Sequence, residues 1–269
     1  MKQTHMLRRW LNFILGILPG GIQLRAGCFL SKLSKILIES CFVTKPEMEI
    51  NGEIDLLSSP PTKLYRVIDG GANRGDWTTK LLNTNPLCES VVLIEPNEAL
   101  VNLLRKRFAN EKRVTIIPQA LDFREDTQVL SYSKNMNTHG FLSFLKGEKQ
   151  DEYTSMEVNT TTLDEVLNDL KWEKIDLLKL DLEGFDHNAL LGARTALEEG
   201  KISVIQFEVT RNSEVSGSSP CATFRYLIQH GFRLFLITEK GLHVLRKPMN
   251  IPHFSIYSNF CAIHESVSH

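Results

Sequence analysis

The residues best suited to chemistry begin at Val67, where the chain reads VIDGGANRG. A β-branched apolar run passes there directly into an acid and the glycines Gly70, Gly71 and Gly75. One glycine is enough to turn a strand. A cluster of them around Ala72 and Asn73 predicts a loop that something approaches closely, because glycine tolerates φ > 0 and carries no Cβ. Asp69 falls at the predicted strand end, where its carboxylate could hold an ammonium group. A second apolar run ends in LIEP and sets Glu95 at its tip, the usual place for an acid that takes two ribose hydroxyls. The loop is not G-x-G-x-x-G, which argues against a dinucleotide, and no G-K-S/T offers a cradle for a nucleoside triphosphate. An amino acid, a ribose and no phosphate describe S-adenosyl-L-methionine. The bland reading of Asp69 and Glu95 is that they only cap the helices that follow.

Residues of this kind need parallel strands with helices between them. Short apolar runs occur at 66–69, 90–94, 114–118, 175–181 and 202–209. Leu100, Leu103, Leu104 and Phe108 have the spacing of a one-faced helix, and Phe224, Leu227 and Ile228 repeat it before Gly231. Strands alternating with helices imply right-handed crossovers and a doubly wound α/β sheet, mostly parallel and covered on both faces. Runs at 233–238, 243–245 and 254–263 predict an antiparallel, hairpin-like finish. Ahead of this domain, 65–265, stands an N-terminal helical extension, 1–64. Its residues 31–45 read as helix and 46–64, with Pro46, Pro60 and Pro61, as linker. The stretches 133–155 and 210–221 read as loops that shape an acceptor pocket.

VIDGGANRGDWT, LIEPNEALVNLL, LLKLDLEGFDHNALLGA and ISVIQFEV resemble the successive motifs of FkbM-type methyltransferases, over about residues 65 to 263. The glycine motif alone would indicate a class I, Rossmann-like methyltransferase fold; the LKLDLEGFD…LLGA block is much more specific. The resemblance implies S-adenosyl-L-methionine-dependent methyl transfer, usually to a hydroxyl oxygen of a sugar or other natural product. The partner would then be a small-molecule or glycan acceptor. By position, it implies that Asp69, Gly70, Gly71, Ala72, Asn73 and Gly75 form the cofactor loop and Glu95 takes the ribose, with Asn97 close behind. Gln119, Ala120 and Leu121 would flank the adenine. Gly70 departs from the family, which often has a larger apolar residue there, and is expected to loosen the loop slightly.

Methyl transfer to an alcohol needs an in-line approach and removal of a proton. Asp181 and Glu183 fall at the end of the fourth run and Glu208 at the end of the fifth, so these are the expected catalytic residues. An i, i+2 spacing puts Asp181 and Glu183 on one side if the strand is still extended. One carboxylate could be the general base, or both could hold a divalent ion. Asp181 could instead only cap a helix and orient the cofactor, and the spacing leaves these readings open. His139 and His187 are further candidate bases, although a lone histidine is more often a packing residue. Trp77 and Phe185 read as packing residues and LRKRF, 104–108, as a solvated helix face. Beside O-methylation stand transfer to nitrogen or carboxylate, and a module that binds the cofactor without catalysis.

A net charge of −1 gives no electrostatic case for nucleic acid. The scattered Cys28, Cys41, Cys88, Cys221 and Cys261 form neither a disulfide framework nor a zinc motif, which suggests a reducing, cytoplasmic setting. Residues 7–18, LRRWLNFILGIL, are too short to span a bilayer, which takes about 20 apolar residues. They suit an interfacial helix making peripheral membrane contact, or equally a helix packed on protein.

Overall fold

Runs of β-branched and leucine side chains, buried on both faces, build the centre of the molecule. The computed structural model describes residues 22, 25–30, 32–33, 48, 51–133, 140–141, 153–209, 218–246 and 258–267. The chain divides into two compact units, Met1–Val43 and Thr44–His269. In the first, residues 22, 25–30 and 32–33 are helical; the rest of the expected 31–45 helix and the whole 7–18 segment lie outside the described residues.

In the second unit β1 (Arg66–Gly70) lies between β2 (Ser90–Ile94) and β8 (Ile175–Leu180). β3 (Val114–Ile117) extends the sheet beyond β2, and β9 (Ile202–Val209) extends it beyond β8. All these pairings are parallel. Every residue of β8 and β9 is buried, which is why these strands read as continuous apolar runs rather than alternating ones. The chain progresses outward from β1 first on one side and then on the other. The carboxyl ends of β1 and β8 therefore flank the point where strand order reverses, the ligand crevice of doubly wound sheets.

The finish is antiparallel, as the sequence predicts. β10 (Phe232–Thr238) and β11 (Gly241–Val244) form the hairpin. The last strand, β12 (Ser258–His264), is not at an edge but inserts between β9 and β10, antiparallel to both. Phe260 there stacks on Phe207 of β9 with ring centroids 5.6 Å apart.

Two segments differ from expectation. The 46–64 linker contains a helix, α1 (Glu53–Ser58), whose Leu56 and Leu57 share a core cluster with Leu64, Val67, Trp77 and Leu177. Burying two leucines removes enough apolar surface from water to fix this segment on the sheet, so it belongs to the second unit. Parts of 133–155 are strand as well. β4 (Ala120–Leu121), β5 (Thr127–Ser133), β6 (Gly140–Phe141) and β7 (Tyr153–Thr161) make a separate small sheet in the order β4-β7-β5-β6. From Ser155 to Thr160, β7 alternates outward polar residues with Met156, Val158 and Thr160 turned inward, the period of a half-buried strand.

Candidate functional site

β1 ends at Gly70, and the chain then turns through left-handed conformations at Gly71 (φ 76°), Asn73 (φ 49°) and Gly75 (φ 78°). A Cβ on Gly71 would stand 2.2 Å from the backbone oxygen of Asp181, and one on Gly75 2.6 Å from the ring of Phe108. The close approach foreseen at these glycines is thus made, at these two positions, by the protein's own backbone and core. Gly70 is also tightly packed: an added Cβ would meet Leu121 at 2.9 Å and Leu180 at 3.1 Å. The loop is therefore not loosened there; the space is filled from β4 and β8.

Gly75 is the N-cap of α2 (Asp76–Thr84), which starts without any side-chain cap. The first amides of a helix have no partner within the helix, so this N-terminus presents N–H donors and positive dipole toward the crevice. Arg107 fastens the start of α2 from outside, donating to the Arg74 carbonyl and pairing with Asp76, each at 2.6 Å. It lies in the expected solvated stretch of α3 (Glu98–Arg107), where Arg105 and Lys106 are exposed.

Glu95 follows β2 directly and is 6% exposed. Its Oε2 accepts from the Asn73 N–H and its Oε1 from the Asn97 N–H, both at 2.9 Å. Burial pushes its carboxyl up to about 7, against the opposing effect of these two hydrogen bonds. The Asn97 side chain is occupied as the N-cap of α3, accepting from the amides of Ala99 and Leu100. Gln119 is half-buried and precedes β4, in which Ala120 and Leu121 are buried. The next residue, the buried Asp122, accepts from the side chains of Gln128 and Asn188.

Asp69 has no exposed surface. Its Oδ2 accepts from the Thr78 hydroxyl at 2.6 Å, and its Oδ1 lies 3.2 Å from Lys179 Nζ. The ammonium group that the sequence reading assigned to Asp69 is, in this structure, a side chain of the same protein. Lys179 Nζ also lies 3.3 Å from Asp181 Oδ2 and donates to the Gly71 carbonyl at 3.5 Å. Burial alone would lower the pKa of Lys179, but the carboxylates of Asp69, Asp181 and Glu53 outweigh it and raise that pKa above the ordinary lysine value.

On the acceptor side, β8 stops at Leu180, so Asp181 lies just beyond the strand with its side chain 42% exposed. Glu183 has φ 53° and Gly184 φ 99°. The extended backbone that would have set Asp181 and Glu183 on one side is broken, and alternation no longer relates them. Glu208, on β9, is 9% exposed, and its amide donates to Asp186 Oδ1 at 3.2 Å. Asp186 Oδ2 accepts from the Leu182 amide at 3.3 Å, so this buried carboxylate joins the turn after β8 to the end of β9. Burial and the nearby Asp181 push Asp186 up to about 7. His187, on helix α4 (Asp186–Leu191), lies 3.3 Å from the Thr223 hydroxyl and edge-on to Tyr226, both on helix α5 (Pro220–Gln229), with burial lowering its pKa. His139 lies outside the described residues. Trp77 and Phe185 are buried, as expected of packing residues. Among the described residues no three His, Cys, Asp or Glu side chains are grouped to hold a metal ion.

Sequence reasoning missed Lys179, Asp186 and Glu53. A lone lysine in the run IDLLKL was a visible signal for the first. Glu53, ahead of the first strand, had none: it accepts from Asn51 and Asn259 on Oε1 (2.6 and 2.8 Å) and from Gln206 on Oε2 (2.8 Å). Burial raises its carboxyl while Lys179 opposes the shift.

The profile of the methyltransferase FkbM domain matches residues 69–234. The chain belongs to the FkbM methyltransferase family. No curated protein matches it significantly. Among solved structures it is similar to an FkbM methyltransferase from Methylobacillus flagellatus KT, at 16% identity and a TM-score of 0.47, over 75% of this chain and 44% of that one. It thus spans less than half the length of that protein. A putative O-methyltransferase from Klebsiella pneumoniae gives 13% identity and 0.46 over 82% of each chain. Aeropyrum pernix fibrillarin, in complex with natively bound S-adenosyl-L-methionine, gives 13% and 0.43 over 78% of this chain and 73% of its own. The FkbM match includes Asp69, Glu95, Lys179, Asp181 and Asp186 but neither Glu53 nor Asn259. Among the described residues no helix is long and apolar enough to cross a membrane.

Proposed function

We propose that this FkbM methyltransferase binds S-adenosyl-L-methionine at the turn after β1 and methylates a hydroxyl oxygen of a sugar, glycan or other natural product. The observation that carries the reading is Glu95. Its carboxylate sits at the tip of β2, against the loop that follows β1, with each oxygen oriented by one backbone amide, which leaves acceptor capacity for two hydroxyl donors. That fits a ribose. The uncapped N-terminus of α2 beside it fits the carboxylate of an amino acid. Bound there, S-adenosyl-L-methionine would supply the methyl group and a neutral thioether as leaving group.

The chain's own residues then divide the work. Glu95 would hold the ribose, and Gln119, Ala120 and Leu121 would flank the base. Asp69 would act on the loop from beneath, through Thr78 and Lys179. Asp181 is open enough to accept a hydrogen bond from the acceptor hydroxyl and orient it or take its proton, with Glu183 and Glu208 as the remaining acids of that side. A cytoplasmic, reducing setting is part of the proposal and agrees with the free thiols of Cys28, Cys88 and Cys261.

The test is calorimetric titration with S-adenosyl-L-methionine, followed by incubation of labelled cofactor with glycan and metabolite fractions. With an acceptor in hand, Asp181→Asn is expected to lose about 10²- to 10⁴-fold in single-turnover rate at saturating cofactor, the usual range for a general base and well beyond its loss of cofactor affinity. Wild-type turnover in that variant would move the role to Glu183 or Glu208. Loss of rate on chelation, restored by Mg²⁺ or Mn²⁺, would favour the metal reading.

A further inference from the structure

We propose that Lys179 is a positioning residue that couples the cofactor loop to the acceptor-side carboxylate, holding the Gly71 carbonyl and Asp181 in one fixed arrangement. What the two sides bind rests on the methyl-transfer reading above; the coupling does not.

An ammonium group has three N–H donors and no acceptor. Around Lys179 stand three acceptors from three separate segments: Asp69 at the end of β1, Gly71 in the loop, and Asp181 beyond β8. Parallel register sets Lys179 directly beside Asp69, and the ring of Trp77, 5.8 Å from Nζ, closes another side. The side chains of Lys179 and Asp69 are 6% and 0% exposed, whereas that of Asp181 is 42% exposed. The cation therefore acts from inside the protein on a carboxylate that a ligand can reach. Being buried, its field is little screened by salt. The carboxylates of Glu53 and Glu95 also face it, the first fixed by Asn51, Gln206 and Asn259, so one ammonium balances a site rich in acid. A compact charge with rotatable donors suits this tripod, and the planar fork of an arginine does not.

The principal variant is Asp181→Asn, which strands no fully buried charge. The Gly71 and Ala72 amides both donate to the Ile94 carbonyl, so their hydrogen exchange reports on the loop without any ligand. If Lys179 carries the coupling, Asp181→Asn should speed that exchange about tenfold and weaken binding of S-adenosyl-L-methionine by a similar factor. In the Asp69→Asn/Lys179→Met background, which removes opposite buried charges together, adding Asp181→Asn should change neither by more than about twofold. Equal effects of Asp181→Asn in both backgrounds overturn the inference. Should the double variant fail to fold by circular dichroism, unchanged exchange in Asp181→Asn alone overturns it. Faster exchange there, confined to the loop, sustains it. A wild-type chain that takes up no S-adenosyl-L-methionine removes the methyl-donor reading, and the exchange measurement still decides on the coupling.

Discussion

Glu95 is held near 7 by burial, in spite of two amide donors that favour its ionised form. Only the ionised carboxylate is a pure acceptor, so affinity for S-adenosyl-L-methionine should rise from about pH 6 to about pH 8 and then level off. Glu95→Gln should flatten that profile and weaken binding by roughly 1.5–3 kcal/mol, about 10- to 150-fold, with the fold intact. Calorimetry on both proteins across this range checks it; a pH-independent affinity, unaltered by the substitution, would put the ribose elsewhere. Glu95 was legible in the sequence because LIEP marks a strand tip by itself. Lys179, Asp186 and Glu53 were not, since the importance of each is set by what faces it across the fold. Asp69 meets Lys179 only once β1 and β8 pair in register. Glu53 meets Asn259 across an interval of 206 residues that no local pattern spans.

Between β1 and α2 the chain has almost no freedom to vary. A methyl group on Gly71 would fall 2.2 Å from the Asp181 carbonyl, at a φ of +76° that side chains resist. Gly71→Ala is expected to lose at least about 1–3 kcal/mol in urea unfolding, the scale of one residue forced into a sparsely populated backbone region. A variant as stable as wild type would show that the turn after β8 can yield. The parallel strands and the closing hairpin could be read in advance because continuous apolar runs and one-faced helices are local signals. α1 was hidden by the prolines around it, and only the burial of Leu56 and Leu57 in the sheet's core explains why it forms. The small sheet is a different case. YTSMEVNTT carries a strand's alternation openly, but Val158 and Met156 pack with Leu130 and Ala120, so the pattern gains meaning only beside β5 and β4.

For the whole molecule, buried acids set the response to pH. Asp186 is raised to about 7 from an ordinary value of 3.8, so a folded chain keeps this proton where an unfolded one has released it. Its contribution is fully present below about pH 4 and is lost as pH rises through about 7. Asp186→Asn should therefore gain on wild type over that interval by about 1.4 kcal/mol for each unit the carboxyl is raised. Urea midpoints of both proteins at several pH values test this, and a constant difference would contradict it. A second test concerns extent. The matched region 69–234 lacks α1 and β12, so that fragment should fail to fold, while 44–269, the second compact unit, should fold and bind cofactor. Circular dichroism and titration of both fragments decide it. β12 has one more consequence, for synthesis. Both of its neighbours, β9 and β10, are made before it. A ribosome delivering this chain from its N-terminus supplies the strand between them last. Until then the nascent protein carries two unpaired strand edges flanking a gap, which any other extended segment could enter. β12 thus serves as the keystone of its sheet, and a translation product interrupted before it would lack the piece that shields it from its neighbours.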